Sequence, residues 1–313
     1  MADANVSDGA GVAAACDGSV EAAAAKANDS KVKIQGSLGK VEAWALQLAS
    51  LKQTVSPSVG SALCITFVAS HGVSRAHHEI STHANQGPTI DTVVALGAVG
   101  AEGFRGGVNV LAGAVGVDNH VVDVGIDCDP AVFEGLSSNL VTVDRVRGPT
   151  AFSGNRGDDG SVGVFAGTED LAEGPAMSGD QVLKAIQAGK DAVDRAVDGG
   201  SYTAICIGEA GIGNTTAASA LIAAYTGSDA SVTVGPGTGI DAEAKKVKTS
   251  FVRSAVERLT SQPQAPTPTA ILAEVGGFEI AAMAGAMMQC WKRKTPCVVD
   301  GFISCSAALI ESV

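Results

Sequence analysis

The glycine-rich segment GEAGIGNTT, residues 208–216, has residue types and a spacing that suit phosphate binding. It follows the apolar run TAICI, and its glycines allow backbone N–H groups to approach an anion. Gly208, Gly213 and Thr215 match the P-loop pattern G-x-x-x-x-G-K-[ST], but Asn214 occupies the lysine position. Because that lysine neutralises the outer phosphates of a triphosphate, its absence favours a single phosphate as the ligand. A tight strand-to-helix turn without a ligand is the alternative interpretation.

Two further loops also follow apolar runs. GPGTG, residues 235–239, comes after SVTV, and DGF, residues 300–302, comes after PCVV. Open α/β sheets bind ligands at the carboxyl ends of their strands, so three such loops indicate a binding edge. The G-x-G-x-G spacing of the second loop is not the dinucleotide fingerprint, and a simple turn stays possible there. Lys248, on the next helix, is either an anion ligand or an exposed helix lysine.

Charged residues near these loops have functional and structural interpretations. Glu209 lies beside the expected phosphate, which is unfavourable unless it faces a ligand nitrogen or a ribose hydroxyl; it could also face solvent. His71, in SHGV, follows a predicted strand, where a lone histidine is more often structural. We predict no metal site, because the sequence has no C-x-x-C pair and the remaining histidines lack a metal-ligand spacing: His77, His78 and His83.

The hydrophobic pattern predicts an α/β fold. Short apolar runs predict five strands, at residues 62–68, 120–125, 202–208, 231–235 and 296–301. Helical patterns of 12 to 20 residues lie between them, one of them starting at the candidate N-cap Ser178. Continuous apolar strands alternating with helices indicate a parallel sheet covered on both faces. Residues 137–162 carry turn and charge signals and are predicted to form an exposed excursion.

Composition limits the class of protein. The 313 residues suffice for one large domain or two modest ones, and the net charge of −12 lacks the Lys/Arg clusters of a nucleic-acid surface. We see no basic segment followed by an apolar one at the N-terminus, and no apolar stretch of about 20 residues that would span a membrane. These features predict a cytoplasmic protein without nucleic-acid or membrane partners, and an anionic metabolite remains a possible ligand.

Nine motifs in a fixed order resemble one family, the nicotinate-nucleotide:dimethylbenzimidazole phosphoribosyltransferases. They cover roughly residues 20–313 and read GSLGKVE, SHGV, GGVNVLAGA, VVDVGID, GPAMSGDQVLKAIQAG, GEAGIGNTTAASAL, GPGTGIDAEAKKVK, VGGFEIAAMAGAMM and DGFISCSAALI. The ordered agreement of many glycine-rich motifs is specific.

The resemblance implies a Rossmann-like three-layer fold, with helices on both faces of a parallel sheet, plus a small, mainly helical lobe. Residues 1–60 would form the N-terminal part of this lobe, and residues 61–313 the large phosphoribosyl-binding domain. The implied reaction moves the phosphoribosyl group of nicotinate mononucleotide to 5,6-dimethylbenzimidazole, giving α-ribazole 5′-phosphate and nicotinate. The implied enzyme is a homodimer that needs no metal or organic cofactor.

The resemblance also assigns site residues. Glu209 matches the glutamate of the first loop and is the candidate catalytic residue. The substrate-binding positions lie in the two glycine loops and on the next helix: Gly211, Gly213, Asn214, Thr215, Thr216, Gly237, Thr238, Gly239 and Lys248.

The sequence also departs from the family pattern. The family's general base is a glutamate in a G-E-G motif, which would lie beyond Val313. Ser70 replaces the aspartate of DHGV, Pro236 replaces an arginine, and RAHHEISTHANQG replaces the segment that lines the base pocket. The alternative is therefore a catalytically weak or inactive homologue or partner subunit that binds nicotinate mononucleotide.

Overall fold

A five-stranded parallel sheet forms the centre of the protein. The computed structural model describes residues 18–83, 106–126, 140–142, 167–200 and 202–312. Within this part of the chain the sheet has the strand order β3-β2-β1-β4-β5. The strands are β1 Ala62–Ala69, β2 Asp118–Gly125, β3 Leu140–Thr142, β4 Ala204–Ala210 and β5 Cys297–Val299.

Helices cover both faces of this sheet. The α-helices of the described residues are α1 Gly18–Asp29, α2 Lys40–Lys52, α3 Gly72–Ala76, α4 Gly107–Val115, α5 Gly179–Asp198, α6 Asn214–Thr226, α7 Ala230–Thr233, α8 Ala242–Thr260, α9 Pro268–Val275, α10 Phe278–Lys292 and α11 Phe302–Ala308. Short 3-10 turns cover His78–Ile80 and Leu309–Ser312. The predicted α/β class with a parallel sheet is confirmed. No described helix is both long and apolar enough to cross a bilayer.

The strand register brings the ends of β1, β2 and β4 to one edge of the sheet. Phe67 pairs with Glu209, and Ala69 pairs with Gly125 after a bulge at Val68 and Ala69. Phe67 is fully buried, so the core continues to this edge. Parallel strands therefore place the residues that follow β1 beside the loop that follows β4.

Helices α5 and α10 pack very closely in the core. A Cβ atom added at Gly189 would lie 1.8 Å from the Ala282 carbonyl oxygen, and one at Gly285 would lie 2.0 Å from the Ile186 carbonyl oxygen. The two backbones touch only because these positions lack side chains. Ser178 caps α5 as predicted, and its hydroxyl accepts a hydrogen bond from the next turn in a capping box.

Four of the five predicted strands form, and the prediction of a strand at residues 231–235 is wrong. The segment Ala230–Thr233 is helix α7, and the Asp229 side chain caps it by accepting a 2.9 Å bond from the Ser231 N–H. A four-residue apolar run is too short for its period to distinguish a strand from a buried helical turn. The Asp229 cap favours the helical turn here. The predicted excursion at residues 137–162 contains strand β3, Leu140–Thr142; the rest of that segment lies outside the described residues.

The N-terminal described residues form a helical hairpin. Helices α1 and α2 pack against each other, and the Asn28 side-chain amide donates to the Glu42 carboxylate at 3.2 Å. Lys33 forms a 3.0 Å ion pair with the same carboxylate. The boundary predicted near residue 60 stays a prediction.

Candidate functional site

The first glycine loop connects β4 to α6 at the carboxyl edge of the sheet. Gly213 is the N-cap of α6, its φ is 98°, and no side chain caps the helix there. A Cβ atom at this position would lie 3.0 Å from the Cβ atoms of both His71 and Ser74. The turn therefore requires glycine, and a 13-residue helix begins directly after it, where the helix dipole favours negative charge.

Lys248 connects this loop to the second one. Its side chain is fully buried, and Nζ donates a 2.7 Å hydrogen bond to Thr215 Oγ1. A Cβ atom at Gly237 would lie 3.2 Å from both of these atoms, so the second loop also closes on the pair. The interpretation of Lys248 as an exposed helix lysine is thus wrong, and burial lowers its pKa to about 8.

Thr238 ties the second loop to the segment after α3. Its Oγ1 accepts a 2.9 Å bond from the Thr82 N–H, and the Thr82 hydroxyl donates to the Thr238 carbonyl at 3.2 Å. The Ser81 hydroxyl lies 3.2 Å from the same Oγ1. The sequence pattern indicates Thr238 but neither Ser81 nor Thr82, which lie in the segment RAHHEISTHANQG that replaces the family's base-pocket segment.

Glu209 faces inward at the end of β4. The Asn214 side-chain amide donates to its Oε2, so the first residue of α6 orients the carboxylate. The pKa of Glu209 is raised to about 7, chiefly by burial and next by the Glu279 carboxylate, while His71 acts to lower it. A carboxyl group of this kind changes its charge in the neutral range, which is typical of functional sites.

His71 and Glu279 form a buried pair beneath the first loop. Both side chains are fully buried, and His71 Nε2 lies 2.7 Å from Glu279 Oε1. The sequence favours a structural role for His71, and none of the motifs assigns a role to Glu279. One signal was available, because Glu279 is the lone charged residue in the apolar stretch GGFEIAAMAGAMM.

The remaining predicted residues occupy different surroundings. Gly211 packs against β1, where an added Cβ atom would lie 2.5 Å from the Ala69 carbonyl oxygen. Thr216 is fully buried, and among the described residues its Oγ1 has no hydrogen-bond partner. Gly239 adopts a φ of 99°, which favours glycine. Among the described residues, no side-chain hydrogen bond joins the third loop, residues 300–302, to the two glycine loops.

Two features lie apart from these loops. His77, Asp170 and Glu173 bring their ligand atoms within 4.8 Å of one another, but His77 Nε2 and Asp170 Oδ2 already form a 2.8 Å hydrogen bond. This hydrogen bond accounts for the arrangement without an ion. The absence of a metal site remains a prediction.

A cavity of about 350 Å³ lies between α5 and the middle of β1 and β2, away from the strand ends.

Comparisons with known proteins agree with this architecture of an α/β protein with paired glycine loops. A family profile described as "Phosphoribosyltransferase" matches residues 13–312. The nicotinate-nucleotide--dimethylbenzimidazole phosphoribosyltransferase of Geobacter metallireducens is 36% identical over 283 residues, covering 90% of this chain and 70% of that protein. The protein of the same name from Chloroflexus aggregans is 33% identical over 292 residues, with 93% and 72% covered.

A solved structure is similar as well. CobT from Thermus thermophilus superposes with a TM-score of 0.78 at 31% identity, covering 93% of this chain and 77% of that one. The fold and both loops thus define an α/β phosphoribosyltransferase. The chain belongs to the nicotinate-nucleotide–dimethylbenzimidazole phosphoribosyltransferase family. The inactive-homologue alternative is not favoured, because these relatives are named as enzymes.

Proposed function

We propose that this protein transfers the phosphoribosyl group of nicotinate mononucleotide to 5,6-dimethylbenzimidazole, giving α-ribazole 5′-phosphate and nicotinate. The proposal rests mainly on one observation. The fully buried Lys248 Nζ donates a 2.7 Å hydrogen bond to Thr215 Oγ1, between the two glycine loops. Among the described residues no carboxylate pairs with Lys248; a buried cation without such a partner is costly, and an incoming phosphate offsets that cost. The family relationship supports the same assignment.

The 5′-phosphate is assigned to the N-terminus of α6. Backbone N–H groups of the first turn and the Thr215 hydroxyl donate to it, and Lys248 supplies the positive charge. The Thr216 hydroxyl, which has no described partner, is a further donor nearby. One lysine and one helix end suit a single phosphate, in agreement with the missing P-loop lysine at Asn214.

The transfer breaks the N-glycosidic bond at C1′. Nicotinate leaves with the bonding electron pair, positive charge develops at C1′ and the ribose ring oxygen, and a benzimidazole nitrogen attacks C1′. The other nitrogen releases its proton, which the resemblance assigns to the glutamate of the family's G-E-G motif. Glu209 is therefore assigned an electrostatic role: its carboxylate, held by Asn214, stabilises the positive charge.

The assembly state and location are part of the proposal. The resemblance implies a homodimer with residues 1–60 in a small lobe, and the composition predicts a cytoplasmic location. Helix α4 has exposed apolar side chains at Val110, Leu111 and Val115. Light scattering of the purified protein should give twice the chain mass of 31.1 kDa. A mass of one chain at micromolar concentration would reject the dimer.

Calorimetry with nicotinate mononucleotide tests the binding step. We expect Thr215→Ala and Lys248→Ala to weaken binding about tenfold or more, because each removes a donor to the phosphate. Lys246→Ala is the matched control, since Lys246 lies on the same helix, is exposed and pairs with Glu243. Absence of binding to the unmodified protein would reject the proposal.

Mass spectrometry tests the transfer step. Incubation with both substrates should give α-ribazole 5′-phosphate and nicotinate in equal amounts, and omission of 5,6-dimethylbenzimidazole should abolish the first product. Binding without any product would reject the proposed transferase activity.

A further inference from the structure

Two residues of the segment after α3, Ser81 and Thr82, contact the second glycine loop through hydrogen bonds. We propose that this pair, the Ser81–Thr82 tether, positions the loop of residues 235–239 against Lys248 and Thr215, so that nicotinate mononucleotide meets a preformed phosphate site. This role deepens the proposed function and rests on it for its catalytic consequence. The position of the loop itself can be tested without any substrate.

The second glycine loop has hydrogen bonds that close its own turn. The N–H groups of Gly239 and Ile240 donate to the Pro236 carbonyl oxygen at 2.9 and 3.1 Å. Gly237 and Gly239, on either side of Thr238, have φ values of 52° and 99°. Because glycine has more backbone freedom to lose than any other residue, a turn with two glycines depends on outside contacts to stay in one position.

The tether supplies such contacts to both the side chain and the main chain of Thr238. The Thr82 N–H donates to Thr238 Oγ1 at 2.9 Å, and the Thr82 hydroxyl donates to the Thr238 carbonyl oxygen at 3.2 Å. The Ser81 hydroxyl lies 3.2 Å from the same Oγ1 and accepts a 3.2 Å bond from the His83 N–H. A hydroxyl has one donor and two acceptor sites, so these contacts leave Thr238 Oγ1 at most one site for a ligand. The Thr238 side chain therefore serves mainly to hold the loop.

The segment that carries the tether is fixed to α8, the helix that carries Lys248. The turn His78–Ile80 packs against α8, and Ile80 is buried. Before this turn, the ring of His77 lies 4.3 Å from the ring of Phe251, centroid to centroid. Phe251 is about one helical turn beyond Lys248, so the tether and the lysine share one support.

The close approach of the loop to the lysine gives the tether its consequence. A Cβ atom at Gly237 would lie 3.2 Å from both Lys248 Nζ and Thr215 Oγ1. Gly237 directly precedes Thr238, so a loop released at Thr238 is free to move away from these two atoms. Lys248 is fully buried with the loop in place. Displacement of the loop would let water reach the ammonium group, and its attraction for a phosphate would fall.

Hydrogen–deuterium exchange measured by mass spectrometry tests the loop without substrate. Ser81→Ala and Thr82→Val each remove one hydroxyl group, so the peptide with the Gly239 and Ile240 N–H groups should exchange about threefold faster. Thr260→Val is the control, because it removes an exposed hydroxyl near the end of α8 and should leave this peptide unchanged. Exchange at the unmodified rate in both tether variants would overturn the inference.

A double-mutant cycle tests whether Ser81 acts through Thr238. Calorimetry should show nicotinate mononucleotide binding weakened about threefold in Ser81→Ala, because one hydrogen bond to the loop is lost. In the Thr238→Val background, which lacks the Oγ1 that Ser81 contacts, the same substitution should have no further effect. Thr238→Ser keeps the hydroxyl and should bind nearly as well as the unmodified protein. Fully additive effects of Ser81→Ala and Thr238→Val would reject the tether.

Steady-state kinetics separate positioning from loss of folded protein. Ser81→Ala and Thr82→Val should raise KM for nicotinate mononucleotide about threefold and leave kcat nearly unchanged, because the phosphate is held equally before and during transfer. A protein that is only less stable would instead have a lower apparent kcat and an unchanged KM. That result would reject the positioning role.

The proposed function and the tether fail in different experiments. If the unmodified protein neither binds nicotinate mononucleotide nor forms product, the proposed function fails, and hydrogen exchange still decides whether the tether holds the loop. If binding and turnover are intact, but Ser81→Ala and Thr82→Val change neither affinity nor loop exchange, the tether fails and the proposed function stands.

Discussion

At the scale of single residues, burial shifts the pKa values of two side chains in opposite directions. The pKa of the Glu209 carboxyl rises to about 7, and the pKa of the Lys248 ammonium falls to about 8. Both changes favour the neutral form, as expected when a charged group leaves water. The charged forms of Glu209 and Lys248 are therefore costly in the folded protein, and ligand charges can offset that cost.

Replacing Glu209 by Gln should stabilise the fold in a pH-dependent manner. The folded pKa lies above the ordinary value of 4.5, so the cost of the carboxylate is absent below pH 4.5, grows between pH 4.5 and about 7, and is constant above. Urea unfolding should show no gain near pH 4 and a gain of at most about 3 kcal/mol at pH 8. An equal gain at both pH values would show that this charge is not the cause.

Replacing Lys248 by Met should show the reverse pH dependence. The folded pKa lies below the ordinary value of 10.5, so the cost of the buried ammonium is present below pH 8 and disappears as the pH rises to 10.5. Thr215 loses a partner, so the net gain near pH 7 should be about 2 kcal/mol by urea unfolding. Nicotinate mononucleotide binding should be lost in the same variant. A loss of stability near pH 7 would contradict the argument.

At the scale of elements, the junction between β4 and α6 decides the geometry of the site. Gly213 ends the turn in the left-handed region, and α6 begins with Asn214, which orients Glu209, and Thr215, which contacts Lys248. One helix start thus positions a carboxylate, a hydroxyl and the backbone N–H groups of the first turn together.

Gly213→Ala should damage both stability and binding. Its φ of 98° is unfavourable for alanine, and the new methyl group would lie 3.0 Å from His71 and Ser74, so we expect a loss of about 2–3 kcal/mol in urea unfolding. Gly227→Ala, at the other end of α6, has a φ of 68° with open space around it and should cost about 1 kcal/mol without affecting binding. Equal effects of the two variants on nucleotide binding would refute a special role for Gly213.

At the scale of the whole molecule, one helix pair supports the binding edge. Helix α10 carries Glu279 at its start and packs along α5 through Gly189 and Gly285, while its other contacts reach β1, β2 and β4. The position of Glu279 therefore depends on close packing several turns away.

Gly285→Ala should destabilise the whole fold. The added carbon would lie 2.0 Å from the Ile186 carbonyl oxygen, and backbone cannot move aside as a flexible side chain does, so a loss of about 3 kcal/mol is expected. Gly113→Ala is the control, because no atom of the described residues beyond its own stretch of α4 lies within 4 Å of a Cβ added at that helical glycine, and alanine favours helix. Thermal unfolding by circular dichroism compares them, and equal midpoints would contradict the packing argument.

The sequence by itself determined the family, the parallel α/β class and the two glycine loops, because glycines, capping residues and apolar periods act locally. The capping box of Ser178 and the turn at Gly213 are of this kind. The helix at Ala230–Thr233 was missed, since a short apolar run carries no decisive period.

Only the tertiary structure decided which side chains meet. Thr215 and Lys248 are 33 positions apart, and His71 and Glu279 are 208 apart, yet each pair is joined by a 2.7 Å contact. Burial of Lys248 and the raised pKa of Glu209 likewise depend on helices packed over the strand ends. Solvent exclusion and charge coupling are properties of the assembled core, and no local pattern of residues encodes them.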